Sequence, residues 1–315
     1  MSEGEAKMLS GNPKIGFIGF GEVAYNFSLG LKEAGIERIA AYDKAATDPA
    51  CSEIVRRRAS GAGVQLVSSL EELIRQSELV FSSVWGNLAL KVAGEAARHM
   101  GPEKMFADLN NSTPAAKKQA GEAVNARGAK FVDVAVFGTP AKERHKVFMC
   151  VSGDGAEEFR RVMSGYGMVM DLLPGEAGKA TTIKTLAKIY YLGAQTLYLE
   201  LAVSARKAGC DIETLAPLLA NPTAGIPRKD ELAFWAVRGG IHAKRKTAEL
   251  QDYVPAIREW GVEPIMMEAA LERLELTARY QLHEHFKGEL PPLSELETMI
   301  EAMEKIGAEK NIGLK

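Results

Sequence analysis

Cysteine is scarce in this chain, with three residues, Cys51, Cys150 and Cys210, among 315. They lie far apart and at no metal-ligand spacing. That excludes a disulfide framework and a thiolate-built zinc site, and reads as reduced thiols of a cytoplasmic protein. Long hydrophobic runs are missing too. None reaches the roughly 18 residues that a membrane-spanning helix requires, so no membrane partner is expected. Neither sign of charge is in excess: 39 Lys and Arg stand against 41 Asp and Glu, a formal net charge of -2. Nucleic acid is therefore not an expected partner. Histidine is sparse, and the closest pair, His283 and His285, is two residues apart. On a helix those side chains diverge, whereas a metal pair needs a spacing of three or four, so no metal site is expected. The opening "MSEGEAKMLSGNP" lacks an apolar signal core and reads as a disordered lead over residues 1–12.

What is present is an ordinary globular composition, 46% hydrophobic, in a chain long enough for two domains. Short apolar runs ("KIGFIGF", "ERIAAYD", "ELVFSSVW", "KMFADLN", "AKFVDVAVF", "HKVFMCVSG") alternate with helical periodicity ("EVAYNFSLGLKEAG", "NLALKVAGEAARHM", "TPAAKKQAGEAVNARG"). Alternation of that kind predicts a parallel sheet with helices on both faces. After Pro174-Gly175 the pattern turns helical, beginning with one run of about 30 residues from Gly178 to Gly209. Further helices are expected at "IETLAPLLA", "RKDELAFWAVRG", "KRKTAELQDYVPAIREWG" and "PIMMEAALERLELTARYQLHEHF". The expected organisation is α/β: a doubly wound dinucleotide-binding (Rossmann) domain over 13–175, then an all-α domain over 176–315, joined by the long helix.

The dinucleotide reading rests on the first turn. Gly19, Gly21 and Ala24 form G-x-G-x-x-A between the first strand and the first helix. The first glycine permits the tight turn, the second lets a pyrophosphate approach the backbone, and the alanine allows close helix–strand packing. The helix N-terminus then offers free N–H groups to the phosphates. Phe20, Glu22 and Val23 complete the turn, and Asp43 closes the next strand where a ribose-binding carboxylate is expected. A carboxylate there opposes a 2′-phosphate, so NAD is predicted; neighbouring Lys44 weakens that preference and leaves NADP possible. Ser83 and Val84, at the end of "ELVFSSVW", and Asn110 are expected to line the same cofactor site. The basic run Arg56–Ser60 reads as a solvated helix face, with contact to the adenosine phosphate as the alternative because the run is close to Asp43.

The segment "TIKTLAKIYYLGAQ" (182–195) poses a different question. Lys184, Lys188, Tyr191 and Gln195 fall within about 60° on a helical wheel, flanked by Thr181 and Tyr198. The rest of the circumference is apolar, which predicts a helix buried almost all round with one polar seam. A solvated seam would mix charge signs, but from Asp171 to Glu200 the only intervening acid is Glu176. Two lysines without carboxylates read instead as the wall of an anion-binding pocket. An ammonium group desolvated beside a second cation has a lowered pKa, as proton transfer near neutral pH requires.

These segments resemble the β-hydroxyacid dehydrogenase family, which includes 3-hydroxyisobutyrate dehydrogenase, tartronate semialdehyde reductase and 6-phosphogluconate dehydrogenase. "GFIGFGEVA" matches its cofactor motif, and "DLNNSTP" and "DVAVFGT" match two further segments. "GKATTIKTLAK" aligns Lys184 with the family's catalytic lysine. Phe137 and Lys188 replace a serine and an asparagine that commonly contact substrate. With the C-terminal pattern, they make the chain most similar to the phosphogluconate dehydrogenase-like branch. There, Arg245 and Glu249 stand where the family has a Lys-Asp pair.

The resemblance implies hydride exchange between nicotinamide and a small anionic β-hydroxyacid or its semialdehyde. Lys184 would move the hydroxyl proton and Lys188 would pair with the substrate anion. Ser112, the backbone of Val136, Phe137 and Gly138, Tyr191 and Arg245 would complete the substrate site. Tyr190, Tyr191 and Tyr198 read as filling the interdomain core or a subunit interface, since the long apolar helix has more surface than one small helical domain covers; the resemblance likewise implies a homodimer or higher homo-oligomer. The rival readings are an imine reductase acting on C=N, which usually lacks this lysine, and a nucleotide-binding protein without turnover.

Overall fold

The computed structural model describes residues 9, 11–48, 52–210, 228–287 and 296–312. Contacts divide the chain into two compact units, Met1–Ile189 and Tyr190–Lys315. The first is built on an eight-stranded sheet in the order β3-β2-β1-β4-β5-β6-β7-β8. The strands are β1 (Ile15–Ile18), β2 (Ile39–Tyr42), β3 (Gln65–Leu66), β4 (Leu79–Ser82), β5 (Met105–Asp108), β6 (Lys130–Phe137), β7 (Phe148–Ser152) and β8 (Met170–Leu172). Strands β1, β4 and β5 are buried along their whole length, as strands covered on both faces must be. The helices of this unit are α1 (Glu22–Glu33), α2 (Ser52–Gly61), α3 (Leu70–Gln76), α4 (Ala89–Ala97), α5 (Pro114–Asn125), the single turn α6 (Pro140–Glu143) and α7 (Ala156–Met163).

Two cores show the double winding. On one face Phe27 and Leu31 of α1, Val55 of α2 and Phe159 of α7 pack on Phe17, Phe81 and Val132. Phe17 and Phe81 stack there at 5.1 Å. On the other face Leu73 of α3, Ala93 of α4 and Val124 of α5 pack on Ile18, Val80 and Phe131. Truncating one of these phenylalanines to alanine would cost about 3–5 kcal/mol.

The doubly wound α/β architecture is as expected, with one departure. Strands β1 to β6 are mutually parallel, but β7 runs antiparallel to β6, with Phe137 opposite Phe148. The chain between them holds only α6 and a tight turn over Arg144–Lys146. That is too short for the crossover that a parallel pair requires, so the strand returns beside its predecessor. Strand β8 then pairs parallel to β7.

Helix α8 runs over Lys179–Lys207, as its pattern predicted. It begins after Gly178 and ends before Gly209, both at positive φ (100° and 71°). A Cβ at Gly178 would lie 2.7 Å from the Pro114 carbonyl oxygen, so the turn into α8 needs glycine. The helix is not buried all round, however. Ile183, Leu186, Tyr190 and Leu197 are exposed and, at spacings of three, four and seven, form one outward apolar stripe. The sequence pattern counted these residues as core because periodicity does not say what covers a face.

Every described element of the second unit is a helix: the C-terminal part of α8, then α9 (Arg228–Ile241), α10 (Ala243–Glu259), α11 (Ile265–Ala278), α12 (Leu282–His285) and α13 (Leu296–Lys310). Val237, Ile241, Tyr280, Met299, Met303 and Ile306 form its core. The first N–H groups of α11, at Met266 and Met267, donate to the Glu200 carboxylate at 2.7 and 3.2 Å. The long helix expected over 264–286 is broken at Gln281, which takes left-handed backbone angles. The expected helix "IETLAPLLA" lies outside the described residues, and α13 carried no expectation. Among the described residues, no helix is long and apolar enough to cross a membrane.

Candidate active site

The C-terminal ends of β1, β2 and β4 open onto a cleft of about 930 Å³ lined by Gly19, Phe20, Gly21, Glu22, Val23, Asp43, Lys44, Ser83 and Val84. Nine of the eleven residues assigned to the cofactor from sequence thus lie together. Ala24 is fully buried behind them. The remaining one, Asn110, lines a second pocket. The glycines serve different ends. Gly19 has φ +81°, and a Cβ there would lie 2.4 Å from the Ser83 carbonyl oxygen. Gly21 has open space where its side chain would be and starts α1 without a side-chain cap. The first N–H groups of that helix therefore remain free to bind an anion, so the turn fits a pyrophosphate.

Asp43 does more than face the cleft. Its Oδ2 accepts the Phe20 N–H at 2.7 Å and its Oδ1 accepts the Ala45 N–H at 2.8 Å, which ties the glycine turn to the end of β2. Sequence reasoning left out Trp85 and read the run that holds Arg58 first as a solvated face, with contact to the adenosine phosphate as the alternative; both residues line the cleft, and Trp85 is 82% exposed. Arg58 adds a second cation beside Lys44. Its position on α2, facing back to β2, could have been found from the helical spacing of Val55, Arg58 and Ala59.

The second pocket is small and shares no lining residue with the first. It is lined by Asn110, Asn111, Ser112, Val134, Ala135, Thr181, Lys184, Thr185 and Lys188. Asn110 connects the two pockets: its Oδ1 accepts the Val84 N–H at 2.6 Å and its Nδ2 donates to Ser82 Oγ at 2.9 Å. The Ser112 hydroxyl is buried without a hydrogen-bond partner. Lys184 is half-buried and Lys188 exposed. Desolvation above all, then the charges of Lys188 and Lys117, lowers the Lys184 pKa to about 8 against an opposing pull from Asp133. Burial is thus the main cause, and the neighbouring lysine on the same face adds to it.

Strand β6 contributes differently from expectation. Val134 and Ala135 line the pocket, whereas Phe137 packs on Phe148 at 6.0 Å between ring centres. A Cβ at Gly138 would meet the Glu143 carboxylate and Val147. The side chains of Tyr191, Tyr198 and Glu249 lie outside those described. Arg245, on α10, belongs to the second compact unit. So does His242, whose pKa is lowered by burial and then by Arg245, Arg238, Lys246 and His283. Tyr190 is exposed.

Beneath the pocket lies a cluster that sequence reasoning missed. The Lys117 ammonium lies 3.2 Å from the Asp108 carboxylate and 3.4 Å from that of Asp133, with all three side chains essentially inaccessible. Its signal was present: Lys117, Ala120, Gly121 and Val124 fall on the buried face of α5. The adjacent Lys118, by contrast, is exposed and pairs with Glu176.

Residues 14–170 match the NAD binding domain of 6-phosphogluconate dehydrogenase. The match takes in the whole eight-stranded sheet up to the start of its last strand. Over 255 residues the chain is 27% identical to an uncharacterised 28.5 kDa protein of Methanothermus fervidus, spanning 81% of this chain and 95% of that one. It is 29% identical over 150 residues to mitochondrial 3-hydroxyisobutyrate dehydrogenase of Drosophila melanogaster, covering 47% of this chain and 44% of that enzyme. A solved structure described as similar to 3-hydroxyacid dehydrogenases is 26% identical, with a TM-score of 0.55, covering 86% of this chain and 98% of the other. An imine reductase from Bacillus cereus shares the fold at 18% identity, with a TM-score of 0.69, covering 91% and 99%. The resemblance to the β-hydroxyacid dehydrogenases is borne out, and with it membership in a family of NAD(P)-dependent oxidoreductases.

Proposed function

We propose that this 6-phosphogluconate dehydrogenase-like protein interconverts a small anionic β-hydroxyacid and its carbonyl form, with Lys184 as the proton-transfer group. The observation that carries the reading is the Lys184 amine, which lines a pocket joined to the dinucleotide cleft through Asn110 and has a pKa of about 8. A bound nicotinamide would supply or accept the hydride. The chain's residues do the rest. Lys184 in its neutral form takes the hydroxyl proton during oxidation, and in its charged form returns it during reduction. Lys188 and the unpartnered Ser112 hydroxyl face the same space and would hold the substrate anion. Gly19 and Gly21 would take the pyrophosphate, and Asp43 the adenosine ribose, with NAD as the expected cofactor and NADP tolerated.

The test is nicotinamide absorbance with purified protein against hydroxyacids, sugar acids, their phosphorylated forms and cyclic imines, using both cofactors. Turnover of a carboxylate or phosphate substrate supports the reading. Turnover confined to cyclic imines would replace it with C=N reduction, the reading that the fold shared with imine reductases favours. We also propose, from the exposed stripe on α8 and from the family resemblance, that a second copy of this chain covers that stripe.

A further inference from the structure

The buried cluster beneath the pocket has a role beyond holding the sheet together. Asp133, at 0% exposure, sits on β6 and faces the start of α8. Its Oδ2 accepts the N–H groups of Gly178 at 3.0 Å and Thr181 at 2.9 Å. Its Oδ1 accepts the Thr181 hydroxyl at 2.6 Å and lies 3.4 Å from the Lys117 ammonium. Ser152 donates its hydroxyl to the same carboxylate at 3.3 Å and accepts the Ala180 N–H at 3.0 Å. Lys117 is anchored in turn by the Asp108 carbonyl oxygen at 2.6 Å. The Asp108 carboxylate also accepts the Asn110 N–H at 2.8 Å.

One carboxylate thus fixes the first turn of α8, and Lys184 follows Thr181 by three residues on the same face. A neutral serine, threonine or asparagine would cap this helix as well. Burying two carboxylates and an ammonium gives up solvation that their attraction returns only in part. The charged version therefore calls for a reason other than capping. The groups facing Lys184 supply one. Lys188 comes from α8 itself, Lys117 from α5 and Asp133 from β6, while Asn110, Asn111 and Ser112 of the loop after β5 are neutral.

We infer that Asp133 is a positioning residue which, balanced by Lys117, fixes the register of α8 and sets the electrostatic environment of the Lys184 amine. This rests on the reading of Lys184 as the proton-transfer group. Lys117 opposes the charged form of Lys184 and Asp133 favours it, so altering either shifts the ionisation of Lys184 in opposite directions.

The test uses the full-length chain as Asp133→Asn, which keeps the volume and one acceptor, and as Lys117→Met. Limiting acetic anhydride labels Lys184 across pH, and peptide mass spectrometry reads the midpoint directly. Turnover profiles and NADH affinity are measured alongside. Asp133→Asn should lower the Lys184 midpoint by at least about half a pH unit, and Lys117→Met should raise it, with NADH affinity retained. A folded variant of either kind with an unmoved midpoint overturns the inference, and one folded variant suffices to decide. A midpoint that moves while the turnover profile stays fixed supports the positioning role and overturns the assignment of catalysis to Lys184.

Discussion

Asn110 Oδ1 accepts the Val84 N–H at 2.6 Å, so a single amide links the wall of the dinucleotide cleft to the pocket that holds Lys184. Asn110→Ala leaves that N–H and the Ser82 hydroxyl without their partner. We expect a loss of about 1–3 kcal/mol in stability. NADH affinity should weaken roughly tenfold as the loop after β4 loses its brace. Thermal melts and cofactor titration check both, and wild-type affinity would show that the link is dispensable.

Lys184→Ala removes the proposed proton carrier from a half-buried position. Turnover on any substrate found should fall by about 10²–10⁴-fold, while NADH affinity stays within about twofold because no phosphate contact is touched. Steady-state kinetics beside cofactor titration separates the two. Near-normal turnover would remove Lys184 from the chemistry.

The direction of the Lys184 shift fixes the pH response. With a pKa of about 8, oxidation should rise through pH 8 as the amine becomes neutral, and reduction should fall through the same pH. Stability follows the same linkage. Between about 8 and the ordinary lysine value of 10.5 the unfolded chain holds the extra proton, so raising the pH across that window stabilises the fold. Lys184→Met should therefore gain on the order of 1–2 kcal/mol at pH 7 and lose that advantage by about pH 10. Denaturant melts at the two pH values test the sign.

Arg58 and Lys44 line the cleft beside Asp43, and Asp43 already holds two backbone N–H groups. A 2′-phosphate placed there would be met by cations. Arg58→Ala should weaken NADPH roughly tenfold and NADH by less than about twofold. Equal losses for the two cofactors would place the adenosine phosphate elsewhere.

Leu186 and Tyr190 are 57% and 56% exposed on one stripe of α8. Leu186→Asp should convert a homo-oligomer to a monomer by light scattering, leaving the melting behaviour of the sheet unit unchanged. A wild-type chain already monomeric at micromolar concentration would refute the shared stripe.

Much of the fold was legible because its signals are local. The turn around Gly19 and Gly21 needs residues that only that geometry selects, and Asp43 ends a strand at the expected separation. Lys184 and Lys188 were legible from an absence, that of any acid near them. What escaped were relations between distant segments. The antiparallel β7 follows from a short link whose consequence appears only once β6 is in place. The pocket wall falls on Val134 and Ala135 rather than on Val136 to Gly138, because a matching motif does not fix which residues of a strand face the helix. Lys117 and Lys118 are adjacent and chemically identical, and only the packing of α5 decides which one is buried. The surplus of apolar surface on α8 was legible, but which residues form the exposed stripe was not, because an apolar face reads alike whether it meets its own chain or another.

Trp85 stands at the mouth of the cleft and is the sole tryptophan of the first compact unit; Trp235 and Trp260 lie in the second. Its indole is a built-in optical reporter. A dinucleotide settling into the cleft would quench that emission, and a reduced cofactor would also draw energy from it. Loss of the signal on Trp85→Phe would assign it. Occupancy of this protein can thus be followed by fluorescence before any substrate has been found.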